Sequence, residues 1–489
     1  MGAETQIPWG TIVTVATTIG GYLLAFAVIV RVLLQQREAS ATLAWILIIV
    51  FLPFLGVALF FLIGRPRVRR RARKHLRAVD ALERGPGHLP HRNGSCDLVV
   101  PETGMAGLPR MIARVAACVN DTLPLQGNQT EVFIDADQAY DSMEAAIRSA
   151  RHHVHMMSYI YRDDRAGRRF CDLLTDKAKE GVEVRLLVDA VGSHHLDSGF
   201  FLEMQNAGGH YAEFMPVLPL RPHWRPNLRN HRKILVCDGR VGFAGGLNIG
   251  DEYQGRKKKY APWRDTHMRA EGPAAWRLQE VFAEDWFFAT DEDLIEPEYF
   301  PDQRPAGEDQ IQVVESGPDQ PHETIHTVFF TAITEAQERV YITTPYFVPD
   351  AAVLMALKAA SWRGVDVRIL LPGKSDLKLI QMAGRSYHRE LLEAGVKLYE
   401  HRPGMLHAKT MVVDGIWATV GSANMDVRSF RLNFEVNLLV SGSSFATRME
   451  EIFKRDIVGA RELTLQDMKD KSRPTRFAES ICRLLSPVL

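Results

Sequence analysis

The sequence predicts an α/β protein built from two duplicated halves and preceded by two transmembrane helices. Three observations predict it. Strand-like and helix-like segments alternate in the same order twice, with corresponding positions about 180 residues apart. One polar pattern, H-x-K-x4-D, occurs once in each copy, at His231, Lys233, Asp238 and at His407, Lys409, Asp414. Ahead of both copies lie two long apolar runs without a charged side chain.

The apolar runs come first. "TIVTVATTIGGYLLAFAVIV" (11–30) and "ATLAWILIIVFLPFLGVALFFLIG" (41–64) are each long enough to cross a hydrocarbon core of about 30 Å. They predict spans at about 11–31 and 41–64, within a segment 1–67. A cleaved signal peptide would carry a basic n-region, and no Lys or Arg precedes Arg31. Pro53 falls inside the second run, where a membrane helix tolerates it better than a soluble one. The arginine-rich "RPRVRRRARKHLR" (65–77) follows, whereas the link between the runs has only Arg31 and Arg37, offset by Glu38. This bias places the chain after Gly64 in the cytoplasm. Arg65–Arg77 is also a candidate contact for anionic lipid. "ERGPGHLPHRNGS" (83–95) reads as a linker, so 68–105 is a juxtamembrane segment.

The first half, 106–305, then opens its alternation. "EVFID" (131–135) and "VHMMSYIY" (154–161) read as strands around the helix "QAYDSMEAAIRSARHH". "RRFCDLLTDKAKEG" reads as a helix ended by Gly181, and "VEVRLLVDA" as the next strand. The second half, 306–489, replays the order with a helix in 322–339, a strand at 340–347, a helix in "AAVLMALKAASWRG" and a strand in "VDVRILLPG". The pairing of "KEGVEVRLLVDA" with "WRGVDVRILLPG" shows the duplication directly.

Each polar motif continues, past its aspartate, to a small pair and an asparagine: Gly245, Gly246 and Asn248, then Gly421, Ser422 and Asn424. Nothing is inserted or lost between the copies over this stretch. On a strand, His231 and Lys233 face one side. Asp238-Gly239 and Asp414-Gly415 are tight-turn signals, so each motif reads as a hairpin with histidine and lysine on its first strand. The two aspartates complete the candidate catalytic set, but their position favours a turn or ion-pair role. Two lysines and two asparagines suit an oxyanion such as phosphate. Two histidines suit a nucleophile and a general acid/base. The histidines come singly, with a lysine beside each, which argues against a metal site. Each imidazole needs an orienting partner, and Asp265 and Glu435 are the candidates.

Charge and cysteine usage bound the rest. Fifty-nine Lys and Arg balance 59 Asp and Glu, unlike a body built to hold nucleic acid. The five cysteines (Cys96, Cys118, Cys171, Cys237, Cys482) form no CxxC pair and no evident disulfide framework.

The doubled H-x-K-x4-D-x6-G-[GS]-x-N pattern resembles the phospholipase D superfamily. Together with "LAWILIIVFLPFLGVALFFLIGR" and "YIYRDDRAGRRF", it resembles bacterial cardiolipin synthases over nearly the whole chain. The resemblance implies a pseudo-twofold α/β/α body in which two phospholipase D-like halves build one site, without a cofactor. It implies phosphatidylglycerol as substrate, with two molecules giving cardiolipin and glycerol through a phosphatidyl-histidine intermediate. By the usual order in the superfamily, His231 is the nucleophile and His407 the acid/base. Lys233, Lys409, Asn248 and Asn424 would hold phosphate oxygens. Ser422 would assist, and its counterpart Gly246 lacks a hydroxyl. Trp224, Arg225 and Arg229 are candidate headgroup contacts, and "GRKKKY" (255–260) is a second basic cluster. The expected location is the bacterial cytoplasmic membrane with the body inside, and a homodimer is compatible with it. A phospholipase D, or a phosphatidyltransferase using another alcohol or donor, is the nearest alternative. A nuclease fits poorly with two spans and no net charge, and a scaffold with a degenerate site fits poorly with two intact motifs.

Overall fold

The computed structural model describes residues 9–34, 39–64, 105–197, 199–216, 227–484 and 486. The basic run 65–77, the linker, Trp224 and Arg225 lie outside the described residues. The described chain divides into an N-terminal apolar unit and a large α/β body.

In the apolar unit, α1 (Trp9–Leu33) runs 25 residues and has the length and composition to cross a bilayer. Among the described residues it is the one helix that does so unaided. The expected second span is interrupted, giving α2 (Ala39–Phe51, 13 residues) and α3 (Pro53–Ile63, 11 residues). Proline supplies no N–H and its ring crowds the preceding turn. Leu52, at φ −132° and ψ 66°, leaves the helical region to accommodate it. The unit's contacts are apolar: Ala25, Val28 and Val32 of α1 join Ile49, Val57 and Phe60 in one cluster. Leu23, Phe26 and Phe54 keep their apolar surfaces outward, as suits a lipid-facing helix rather than an amphipathic one.

The body is organised by one 16-stranded mixed sheet. The first half contributes β1 (Leu125–Phe133), β2 (His153–Ser158), β3 (Glu183–Asp189), β4 (His210–Phe214), β5 (Arg229–Asn230), β6 (Ile234–Cys237), β7 (Val241–Gly245) and β9 (His267–Glu271), with the short β8 (Trp263–Arg264) apart from the main sheet. The second contributes β10 (Asp309–Ser316), β11 (Arg339–Thr343), β13 (Asp366–Pro372), β14 (Lys397–His401), β16 (Thr410–Val413), β17 (Trp417–Gly421), β19 (Asn433–Ser441) and β20 (Arg461–Glu462). Its short pieces β12 (Phe347–Val348), β15 (Met405–Leu406) and β18 (Met425–Asp426) pair off the main sheet.

In space the first half reads β4-β3-β2-β6-β7-β9-β1 and the second β14-β13-β11-β16-β17-β19-β10, the same order twice. The halves meet where β1 pairs antiparallel with β10, Leu125 opposite Ile311. Within each half the three outer strands run parallel and the motif hairpin is antiparallel. The predicted helices cover the sheet because strand residues alternate sides. Val154 and Met156 of β2 join Tyr140 and Phe170 in the core on one face. His155, of the opposite parity, stacks on Phe282 of helix Pro273–Thr290 at 4.7 Å. The second half repeats this, with Val340 and Ile342 in one core and Tyr341 stacked on Phe453 at 4.8 Å.

One helix crosses the expected division at 305. Helix Gly107–Asn120 precedes β1, yet Leu108, Ile112 and Ala116 pack into the core of the second half with Val314 and Ile325. Gln312 of β10 donates to the carbonyls of Ala113 (3.1 Å) and Thr122 (2.7 Å), tying the helix there.

Candidate active site

The two motifs meet through backbone pairing that exchanges between halves. Residues 231–233 lie just before β6 rather than within the hairpin strand. The reason is β5, which pairs parallel with β19 of the second half, Arg229 opposite Asn433 and Asn230 opposite Phe434. The His231 N–H continues the ladder to the Phe434 carbonyl at 2.9 Å. The second half does the reciprocal: β15 pairs parallel with β8 of the first, and the His407 N–H reaches the Arg264 carbonyl at 2.7 Å. In each case the next residue on the partner strand is an acid. Each histidine is therefore delivered beside the carboxylate of the opposite half. His231 Nδ1 lies 2.9 Å from Glu435 Oε2, and His407 Nδ1 lies 2.8 Å from Asp265 Oδ2. The carboxylates are fully buried, and the histidines are 7% and 6% exposed.

Burial decides the charge states. It pushes His231 down to about 4, with Lys233 adding to the shift and Glu435 opposing it. His407 is lowered too, by burial and then by Lys409, against Asp265. Burial alone would raise Glu435. His231, Lys233 and the Ser422 hydrogen bond outweigh it and hold the carboxyl below its ordinary value. The proton between His231 and Glu435 thus sits on Nδ1, leaving an Nε2 lone pair. Burial also depresses both lysines, Lys409 to about 8 and Lys233 well below its usual value.

The two pairs are not identical. Glu435 is held by Ser422 Oγ (2.5 Å), Ser429 Oγ (2.9 Å) and Asn433 Nδ2 (3.1 Å). Asp265 is held by the Thr266 N–H at 2.8 Å and approached by Trp263 Nε1 at 3.4 Å. The asymmetry between Gly246 and Ser422 follows. A Cβ at position 246 would overlap Oδ1 of the Asp265 carboxylate and sit only 2.9 Å from its Cγ. The longer glutamate leaves room for a serine, whose hydroxyl then anchors it. Ser422 accordingly touches the orienting acid. Lys409 Nζ lies between the ring nitrogens of His407, 2.9 Å from Nδ1 and 3.1 Å from Nε2, whereas among the described residues Nε2 of His231 has no hydrogen-bond partner.

The remaining predicted residues fall elsewhere or do other work. Asp238 and Asp414 sit beyond the far ends of β6 and β16, both at φ 52°. The Asp238 carboxylate accepts the backbone N–H groups of Arg151, His152 and His153 at 2.8–3.0 Å. Asp414 accepts those of Gln337, Glu338 and Arg339 at 2.8–2.9 Å. Asn248 bridges the Ile160 N–H and the Tyr253 hydroxyl. Asn424 is buried, and among the described residues its Oδ1 has no partner. Arg229, expected at a headgroup entrance, is buried with its guanidinium 3.9 Å from Asp189. "GRKKKY" exposes Arg256 and Lys257–Lys259.

Several neighbours of the site were not singled out from sequence. The Tyr159 ring lies 5.0 Å from that of His231, with Lys233 Nζ over it at 5.3 Å. Trp263 and Tyr346 flank His407 at 5.4 and 6.2 Å. Arg232, fully buried, bonds Asp285 and Glu315 at 2.8 Å each and the Glu435 carbonyl at 3.1 Å. Its counterpart is Ala408, and this difference between the copies was the available signal.

Comparison with known proteins gives two family matches. The model of the cardiolipin synthase, phospholipase D-like domain family matches residues 143–286 and 329–457. A phospholipase D-nuclease N-terminal model matches 23–65. A cardiolipin synthase of Geobacillus kaustophilus is 39% identical over 459 residues, covering 93% of this chain and 90% of that protein. Cardiolipin synthase 2 of Bacillus anthracis is 38% identical over 469 residues, 95% and 90% of the two chains. Among solved structures, phosphatidylserine synthase of Haemophilus influenzae is 14% identical, covers 78% of this chain and 99% of that one, and superposes with a TM-score of 0.57, a likeness of fold.

Proposed function

We propose, from the premise that this chain belongs to the phospholipase D-like cardiolipin synthases, a division of labour between its two halves in one phosphatidyl transfer. The enzyme joins two phosphatidylglycerol molecules into cardiolipin and releases glycerol. The observation that carries the mechanism is the crossed arrangement: two buried histidines, each oriented by a carboxylate of the other half.

His231 Nε2 attacks the phosphorus of the first lipid. The P–N bond forms as the bond to the headgroup glycerol oxygen breaks, and His407 gives that oxygen a proton. His407 next takes the proton from a glycerol hydroxyl of the second phosphatidylglycerol. That oxygen attacks phosphorus, the P–N bond breaks and cardiolipin leaves. The asymmetry between the rings supports this order: the Nε2 lone pair of His231 is available, while Lys409 Nζ lies against both ring nitrogens of His407. Burial must not keep His407 unprotonated in the first step. The substrate's phosphodiester charge beside it favours the imidazolium. Lys233 and Lys409 supply positive charge to the phosphate oxygens, with Asn248 and Asn424 lining the same motifs. Glu435 and Asp265 fix the ring orientations. Asp238 and Asp414 hold the hairpins, a role supported by their three backbone hydrogen bonds each.

The broken pair α2 and α3 together forms the second crossing. At 1.5 Å per residue, neither piece alone spans about 30 Å. The catalytic body lies on the cytoplasmic side, with Arg65–Arg77 against anionic lipid, and each chain carries one complete site. The two halves divide near residue 305, with helix Gly107–Asn120 as a strap from the first to the second.

The test uses the full-length enzyme in detergent with phosphatidylglycerol as sole lipid. Cardiolipin and glycerol should appear in equal amounts; phosphatidic acid without cardiolipin overturns the transferase reading. His407→Ala should accumulate a lipid adduct on His231, and His231→Ala none. The reverse pattern overturns the assigned order.

A further inference from the structure

The C-terminal helix Arg473–Leu484 turns its apolar face outward. Glu479 and Cys482 are its buried residues, and Cys482 belongs to the core of the second half. On the opposite side, Phe477, Ile481 and Leu484 line up at i, i+4 and i+7. Phe477 is 68% exposed and Leu484 80%. Helix Lys378–Arg385 packs against this helix and adds Leu377 and Leu379, also exposed. A ridge of large apolar side chains drawn from two packed helices is unlike the single exposed leucines of ordinary surfaces.

Two further observations say what covers it. Unpaired cations flank the ridge: Lys374, Lys378 and Arg473 are exposed and, among the described residues, none of them forms an ion pair, with the exposed acids Asp376 and Asp470 between and beside them. The ridge also adjoins the site. Leu377 follows Asp376, whose carboxylate accepts the Tyr346 hydroxyl at 2.7 Å, and the Tyr346 ring lies 6.2 Å from that of His407. Asp376 is also close enough to act electrostatically on Lys259, in the exposed run Lys257–Lys259 of the first half. Lys259 of the first half and Leu377 at the start of the ridge thus both lie by Asp376, beside the Tyr346 ring that flanks His407.

We propose that helices Lys378–Arg385 and Arg473–Leu484 form a docking surface for the anionic lipid bilayer. The apolar ridge enters the headgroup boundary and the lysines and arginines contact lipid phosphates. This surface presents the bilayer to the site, so that phosphatidylglycerol is taken without leaving the membrane. The inference rests on the reading that the substrate is a bilayer lipid and goes beyond it in assigning the body its own membrane contact. A second copy of the chain on the same ridge is the competing occupant.

The test compares the full-length enzyme with Phe477→Ser/Ile481→Ser and with Lys378→Glu/Arg473→Glu. These side chains are exposed, and none is in the catalytic machinery. On phosphatidylglycerol vesicles both variants should lose tenfold or more activity. On short-chain phosphatidylglycerol below its micelle concentration they should stay within twofold of wild type. Variants as active as wild type on vesicles overturn the docking surface. A wild-type enzyme that makes no cardiolipin from the short-chain lipid overturns the functional reading instead. A polarity-sensitive dye on Ser480→Cys should shift to the blue in vesicles of phosphatidylglycerol. No shift, together with a change of oligomeric state in the serine variant, assigns the ridge to a second copy and overturns the proposal.

Discussion

Replacing Gly246 with serine should disable the site through Asp265 without touching a reacting group. The backbone at 246 is outside the left-handed region, so a side chain meets no conformational bar there. The obstacle is contact. The new Cβ would overlap Asp265 Oδ1 and sit 2.9 Å from Cγ and 3.1 Å from Oδ2, where non-bonded heavy-atom contacts settle near 3.5–4.0 Å. Relieving the Oδ1 overlap drives the carboxyl back by about 1 Å or more. The His407 Nδ1 to Asp265 bond, 2.8 Å now, then stretches beyond about 3.5 Å and out of the useful range. Loss of a hydrogen bond to a charged group costs about 1.5–3 kcal/mol, or about 10- to 150-fold in kcat. KM should change little. Asp265 raises the His407 pKa, so the alkaline limb of the rate profile should also move to lower pH. Steady-state kinetics from pH 5.5 to 9 in mixed micelles measure both effects. Adding Asp265→Glu copies the serine–glutamate pair of the second half and should recover part of the rate. A Gly246→Ser enzyme with wild-type kcat and an unmoved alkaline limb refutes the reasoning.

Two other predictions concern stability. Asp238→Ala should lower the melting temperature, since three backbone N–H groups lose their acceptor at a cost of about 1–3 kcal/mol. It should leave kcat within about threefold; a 10³-fold loss of kcat in a protein that melts normally would return Asp238 to the catalytic set. Acid should destabilise the body between about pH 6.5 and 4. Burial holds His153 and His267 at about 4 and His388 at about 3, against about 6.5 unfolded. The unfolded chain binds protons in that window and the folded one does not, so stability is full above the unfolded value and is lost as pH falls. Melting temperatures that stay flat from pH 7 to 4.5 contradict this.

The duplicated fold was legible because its signals are local. Strand and helix periodicity, the Asp-Gly turns and the constant offset between motifs all act within short windows, and the strand order repeats as they imply. The two acids were legible as candidates, but the crossing was not. It depends on β5 and β15, two-residue strands with no periodicity to read, pairing with partners in the opposite half. Helix Gly107–Asn120 was hidden for the same reason: its core partners lie about 200 residues downstream. In the apolar region hydropathy gave the run 41–64, while the break at Leu52 and Pro53 is a backbone effect that hydropathy averages away. Arg232 stood in plain view inside the motif. Its burial between Asp285 and Glu315 follows from the seam between halves, which no single half encodes.

The crossed histidine–acid pairs have a genetic consequence. A separated half carries a histidine without its carboxylate and a carboxylate without its histidine, so no half-gene product inherits a working fragment of the site. Two full-length alleles, one damaged at His231 and the other at His407, fail to complement each other unless their halves swap between chains. Drift in the acid of one copy must be answered in the other, which binds the duplicated segments into one unit of selection.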